Sequence, residues 1–180
     1  RAAMLVRANT LVKGFSGVRL EIVETLVNML NSGVTPVVPS QGSLGSSGDL
    51  CPLSHLALVF TTDDADREED SGQAWYQGKL MSGKAAMQAA GIERLVLGAK
   101  EGLALNNGAT VSAALAALAI EDADYLMRVG DVSLAMSLEA VLGCSSAFDE
   151  RLHAVRGHTG QMAVAERVRT LTKGSHLVDA

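Results

Sequence analysis

Aromatic side chains are scarce in this chain: Phe, Tyr and Trp together make up 3% of 180 residues. Cysteine is limited to Cys51 and Cys144, with no pairing pattern, so a disulfide scaffold is excluded and a reduced, cytoplasmic chain is the default expectation. Basic charge is not in excess. The net charge of -5 argues against a nucleic-acid partner. No apolar run in the sequence approaches the length needed to span a bilayer, so no membrane partner is expected. Metal-ligand spacings are missing as well. The acidic run Asp63, Asp64, Asp66, Glu68, Glu69 and Asp70 lacks the loop glycine of an EF-hand. His153 and His158 have no Cys or carboxylate at a recognised spacing. The acidic run therefore reads as a solvated surface loop.

What is present is apolar and small. Hydrophobic residues make up 48% and charged residues 19%, a globular balance. Alanine takes the place of rings, which suits close-packed helices. Met4, Leu5, Ala8, Leu11 and Val12 repeat at helical spacing in a first helix over residues 1–13. That pattern is already running at Arg1, with no cap ahead of it, so we expect a chain cut from something larger. A second helix covers residues 18–30, and Pro36 and Pro39 make the next stretch extended. A third helix runs from about Asp49 to Thr61 and carries His55, which reads as a structural residue. A small hairpin turns at Gln77-Gly78, and a short helix covers residues 84–90. A long Ala-rich helix ends near Val129, Asp131 caps the next one, residues 148–160 form a polar connection, and a last helix covers residues 161–172. The fold class expected is mainly α, a helical bundle with one small β-hairpin.

The chemistry centres on Gln41-Gly-Ser-Leu-Gly-Ser-Ser-Gly-Asp-Leu-Cys-Pro-Leu-Ser-His55. The loop is not a P-loop, because no Lys follows Gly48. Its glycines read G-x-x-G-x-x-G, not the dinucleotide fingerprint, and Asp49 stands where a nucleophile elbow needs Gly. The simplest reading is a helix N-terminus, with Asp49 accepting from first-turn amides and Pro52 in the first turn. A second reading is chemical. Gly48 has no side chain, so its backbone nitrogen can approach the Ser46 carbonyl closely. Attack there with loss of water closes a five-membered imidazolinone ring. Loss of a second water from Ser47 leaves an exocyclic methylidene, a strong electrophile that no standard side chain provides. At a helix N-terminus this electrophile sits where developing negative charge is favoured.

Gly42-Ser-Leu-Gly-Ser-Ser-Gly-Asp-Leu50, with Pro52-Leu53 and His55, resembles the signature of the aromatic amino acid ammonia-lyases. Arg7-Ala-Asn-Thr-Leu-Val-Lys-Gly-Phe-Ser-Gly-Val-Arg19, Lys100-Glu-Gly-Leu-Ala-Leu-Asn-Asn-Gly108, Ala135-Met-Ser-Leu-Glu-Ala140 and Gly157-His-Thr-Gly-Gln161 resemble other segments of that family, in the family's order. Two departures stand out. Ser46 replaces the usual Ala of the triad, and His158-Thr-Gly-Gln161 replaces a His-Pro-Gly-Gln pattern. The resemblance implies a 4-methylidene-imidazol-5-one (MIO) group formed from Ser46, Ser47 and Gly48, without metal or diffusible cofactor. It implies that Asp49 helps shape the loop and that Asn107 stands against the substrate, although Asn106 and Asn107 also fit simple turn or cap residues. It further implies elimination of ammonia from an aromatic L-amino acid in a cytoplasmic homotetramer whose sites draw on more than one chain. The histidine-specific members, which yield trans-urocanate, look closest. Phenylalanine or tyrosine specificity, an aminomutase, or a silent assembly fragment with an uncyclised triad remain open. Residues 1–180 would form a single partial domain, the MIO-bearing central portion of a subunit. The family's catalytic Tyr lies upstream of the matching segment, and a carboxylate-binding Arg, a further Tyr and a Glu lie downstream.

Overall fold

In α2 (Leu20–Ser32) the buried residues Ile22, Val23, Leu26 and Met29 recur at helical spacing and form one apolar stripe. Gly33 ends the helix in the left-handed conformation and returns its N–H to Met29. The stripe packs against α1 (Ala2–Leu11), which buries Met4, Arg7, Ala8 and Leu11. The computed structural model describes residues 1–180 and divides into two compact units, Arg1–Leu118 and Ala119–Ala180.

In the first unit, β1 (Thr35–Pro36) pairs antiparallel with β3 (Gln73–Tyr76), which pairs in turn with β4 (Lys79–Ser82). Gln77 and Gly78 both take positive φ, the geometry that closes a two-residue hairpin. The expected hairpin therefore forms and gains a third strand. Between β1 and β3 lie the reactive loop, α3 (Leu50–Phe60) and β2 (Thr61–Thr62). β2 pairs in parallel with β5 (Leu95–Val96). α4 (Gly83–Ala89) is capped by the Ser82 hydroxyl, which accepts from the Ala85 amide at 3.2 Å. α5 (Glu101–Asn106) follows and packs against α3. The core is Met4, Leu11, Ile22, Leu26, Met29, Val59, Phe60 and Met87, with Phe60 its one fully buried ring. Met and Leu fill the volume that rings occupy elsewhere. The acidic run stays on the surface, but Asp66 is anchored to Lys84 at 2.8 Å and to Arg94 at 2.6 Å.

The second unit differs most from expectation. α6 (Thr110–Ala140) runs without a break through Gly130 and Asp131. Asp131 caps nothing: it is buried inside the helix and paired with Arg167 of α8 (Thr159–Leu171). A carboxylate at an apparent start signal is here a buried ion-pair partner, a role that sequence spacing does not encode. The polar connection contains a 3-10 helix (Ser145–Phe148) and α7 (Glu150–Arg156), which is capped by Asp149 through the Arg151 amide at 2.9 Å. Ala165 and Val168 of α8 are buried, and α7 packs against α8. The continuous helix also changes the membrane argument. Residues 101–140 hold an 18-residue window of mean hydropathy 1.5, long and apolar enough by composition to cross a bilayer. Core helices of soluble proteins pass the same test, and Glu121, Asp122, Asp124, Arg128 and Asp131 interrupt this one.

Candidate active site

The reactive loop leaves β1 and ends at the first turn of α3. Residues 41–47 are exposed, Gly48 is half-buried and Asp49 is buried. The turn is tight: Gly45, Ser47 and Gly48 take φ of +70°, +59° and +106°. Ser47 is thus held in the left-handed region that non-glycine residues rarely occupy. Gly48 has a second reason to be glycine. A Cβ there would stand 2.6 Å from the Gly108 backbone nitrogen and 2.7 Å from its carbonyl oxygen. The backbone at Gly108 fills the space a side chain would need. The Gly108 carbonyl also accepts from the Asp49 amide at 2.8 Å.

Asp49 departs from the simple N-cap reading. It occupies the N-cap position of α3, yet its side chain accepts nothing from α3. Instead it accepts from the Ser112 amide at 2.8 Å and the Ser112 hydroxyl at 2.9 Å, in the first turn of α6. The Ser43 hydroxyl donates to it at 2.6 Å from within the loop. Burial pushes the Asp49 carboxyl up, but the bonds from Ser112, Ser43 and the Val111 amide outweigh it and hold the group below its ordinary value. One ionised carboxylate therefore ties the loop to the N-terminus of α6, where the helix dipole favours negative charge.

Asn107 ends α5. Its side chain is exposed, whereas Asn106 turns inward and donates to the Ser54 hydroxyl of α3 at 3.4 Å. Because Gly108 abuts Gly48, the structure brings Asn107 and the Ser46-Ser47-Gly48 triad to one place. The segment carrying Asn107 is fixed at its start by Glu101. This buried carboxylate accepts from the Arg19 side chain at 2.8 and 2.9 Å, from the Arg19 amide at 2.9 Å and from the Gly98 amide at 2.6 Å. The Arg19 guanidinium holds its pKa down, against burial, at about 2. His55 is half-buried on α3.

The sequence pattern singles out none of Ser43, Ser112, Gly108 or Arg7. Arg7 leaves a readable signal: it falls on the buried stripe of α1 with Met4, Ala8 and Leu11, where a charge needs a reason. It donates to the carbonyls of Ala104 and Asn107 (the latter at 2.8 Å) and to the Thr110 hydroxyl at 3.2 Å. The left-handed Ser47, the space-filling contact at Gly48 and the anchored Asp49 form a bent, backed loop of the kind an MIO ring requires, so the residues present fit that group.

Residues 1–180 match the family model described as aromatic amino acid lyase. A histidine ammonia-lyase of Alkaliphilus oremlandii (strain OhILAs) is 51% identical over 175 residues, 97% of this chain and 33% of that protein. Histidine ammonia-lyase from Trypanosoma cruzi superposes with a TM-score of 0.83 at 40% identity, over 94% of this chain and 32% of that one. Pantoea agglomerans phenylalanine aminomutase superposes with a TM-score of 0.88 at 33% identity, over 98% of this chain and 32% of that one. The chain spans about a third of the length of the curated relatives it matches. On a match that runs from its first residue to its last, the chain belongs to the aromatic amino acid lyase family.

Proposed function

We propose that residues 1–180 are the MIO-bearing central portion of an ammonia-lyase subunit that releases ammonia from an aromatic L-amino acid, L-histidine by preference, to give trans-urocanate. The observation that supports this reading is the contact of the Gly108 backbone with Gly48, one residue along the chain from Asn107. The histidine preference rests on the relative that is 51% identical, a histidine ammonia-lyase.

In this reading Ser46, Ser47 and Gly48 become the MIO by loss of two waters, one from the Ser46 carbonyl oxygen and one from the Ser47 hydroxyl with its α-proton. When formed, that group supplies the electrophile that makes the substrate's amino group a good leaving group. Asp49, anchored to Ser112 and Ser43, holds the loop in its bent form. The exposed amide of Asn107 binds the substrate's amino group and fixes its orientation. Ser46 brings to the triad a hydroxyl that an Ala there would lack. A base removes the β-proton. No metal or diffusible cofactor takes part. The exposed apolar side of α6 is read as a bundle surface covered in a cytoplasmic homotetramer, not as a lipid-facing or nucleic-acid-binding one.

An aminomutase is the second reading, because the superposition on phenylalanine aminomutase is as good as that on a lyase. Incubating the full-length subunit with L-histidine, L-phenylalanine and L-tyrosine separates the two. Urocanate from L-histidine, lost in Ser47→Ala, is the expected outcome. A β-amino acid in place of a propenoic acid would establish the aminomutase. No product from any of the three, with the triad unmodified, would sink both and leave an assembly fragment. The 180-residue chain alone is expected to form no product.

A further inference from the structure

Arg7 is 3% exposed, and no carboxylate pairs with it. A buried guanidinium without a counterion is expensive to keep, and an apolar side chain would fill the α1 stripe without that penalty. All of its hydrogen bonds go to one short stretch. Nη2 donates to the carbonyls of Ala104 and Asn107 at the end of α5, and Nη1 donates to the Thr110 hydroxyl at the start of α6. α5 has six residues; the Asn107 amide closes its last turn on the Leu103 carbonyl, and the Ala104 and Asn107 carbonyls are the ones left to Arg7. The planar fork meets those carbonyls with a fixed geometry that a lysine cannot copy. Between the two helices lies Gly108, where a Cβ would stand 2.6 Å from Nη1 of Arg7. Gly108 therefore has Arg7 where its own side chain would be, and its backbone fills the side-chain space of Gly48.

We propose that Arg7 is a positioning residue for ring closure: it holds Gly108 against Gly48 and so keeps the Ser46-Ser47-Gly48 turn in the bend from which the Gly48 nitrogen reaches the Ser46 carbonyl. The proposal rests on the MIO reading above. Arg7 touches neither substrate nor reacting atoms. Its effect passes through the Asn107-Gly108 backbone, which also carries the Asn107 side chain.

The test follows dehydration itself. The full-length subunit is made by cell-free synthesis, and the peptide covering residues 41–55 is weighed over time by mass spectrometry in protein shown to be folded. Wild type is expected to lose two waters. Arg7→Met is expected to fold and to lose them about 10²-fold more slowly, the scale of a misplacement of roughly 1 Å. Arg7→Lys should fall between the two. Leu26→Ala, in the core away from the loop, controls for stability: it should lower the melting temperature at least as much and still cyclise at the wild-type rate. Arg7→Met cyclising as fast as wild type would overturn the proposal and leave the MIO reading intact. If Arg7→Met does not fold, Thr110→Val removes one anchor with the charge retained; slower dehydration supports the proposal and an unchanged rate overturns it. A wild-type protein that loses no water brings down the MIO reading and the proposal with it.

Discussion

Gly48 combines a φ of +106° with a backbone neighbour where its side chain would be. An alanine there meets both penalties, and neither can relax, because the obstructing atoms belong to the Gly108 backbone and not to a flexible side chain. Gly48→Ala is expected to destabilise the chain by about 2 kcal/mol or more and to prevent the loss of two waters. Thermal melts and intact mass check the two effects separately; an unmodified mass with an unchanged melting temperature would show that the φ strain and the contact were both wrongly assigned. Glu101 makes a pH prediction. Its folded pKa, about 2, lies below the ordinary 4.5, so the stability it contributes is fully present above 4.5 and is lost as pH falls from 4.5 through about 2. Glu101→Gln should lower stability at neutral pH and flatten the acid limb in that window, as read by denaturant midpoints across pH. The triad, Asp49 and Asn107 could be proposed from sequence because backbone chemistry and family resemblance both leave marks there. Their supports could not. Ser43, Ser112 and Gly108 act through pairings across 6 to 63 positions of chain that only the folded backbone brings together.

At the scale of elements, periodicity located α1, α2, α3 and the hairpin, because each has one buried face and a clear stop. It failed in α6. Gly130-Asp131 reads as a break followed by a cap, yet the helix continues, with Asp131 satisfied by Arg167 and not by helix amides. It failed again in residues 148–160, where α7 buries no residue and so shows no apolar stripe. The continuous helix has a direct consequence. Gly130 sits inside α6, and a Cβ there would meet no other atom within 4 Å. Gly130→Ala should therefore stabilise the chain by about 0.5–1 kcal/mol through the backbone freedom it removes from the unfolded state. A helix break at residues 130–131, as the sequence pattern suggests, would predict no gain or a loss. Differential scanning calorimetry of the two proteins decides between them.

For the whole molecule, the governing fact is how much apolar side chain α6 leaves uncovered. Leu115, Leu118, Tyr125, Leu126 and Met136 are each more than half exposed. Fully burying one Leu is worth about 1.5–3 kcal/mol, so covering this many would add strongly to the stability of the helix. In the proposed homotetramer that cover comes from other subunits, and the sites are completed across chains. Leu126, 65% exposed, is a sensitive position to test. Leu126→Arg in the full-length subunit should shift the assembly from tetramer to smaller species by light scattering, because each copy would place a charge in an apolar contact. Each subunit should still lose two waters, since the residues that shape the triad lie elsewhere in sequence, between Arg7 and Ser112. Turnover should fall with the tetramer. A variant that stays tetrameric and fully active would place Leu126 outside any interface. A variant that unfolds as a single subunit would show that the cover comes from other segments of the same chain, and assembly would then have to rest on a different surface.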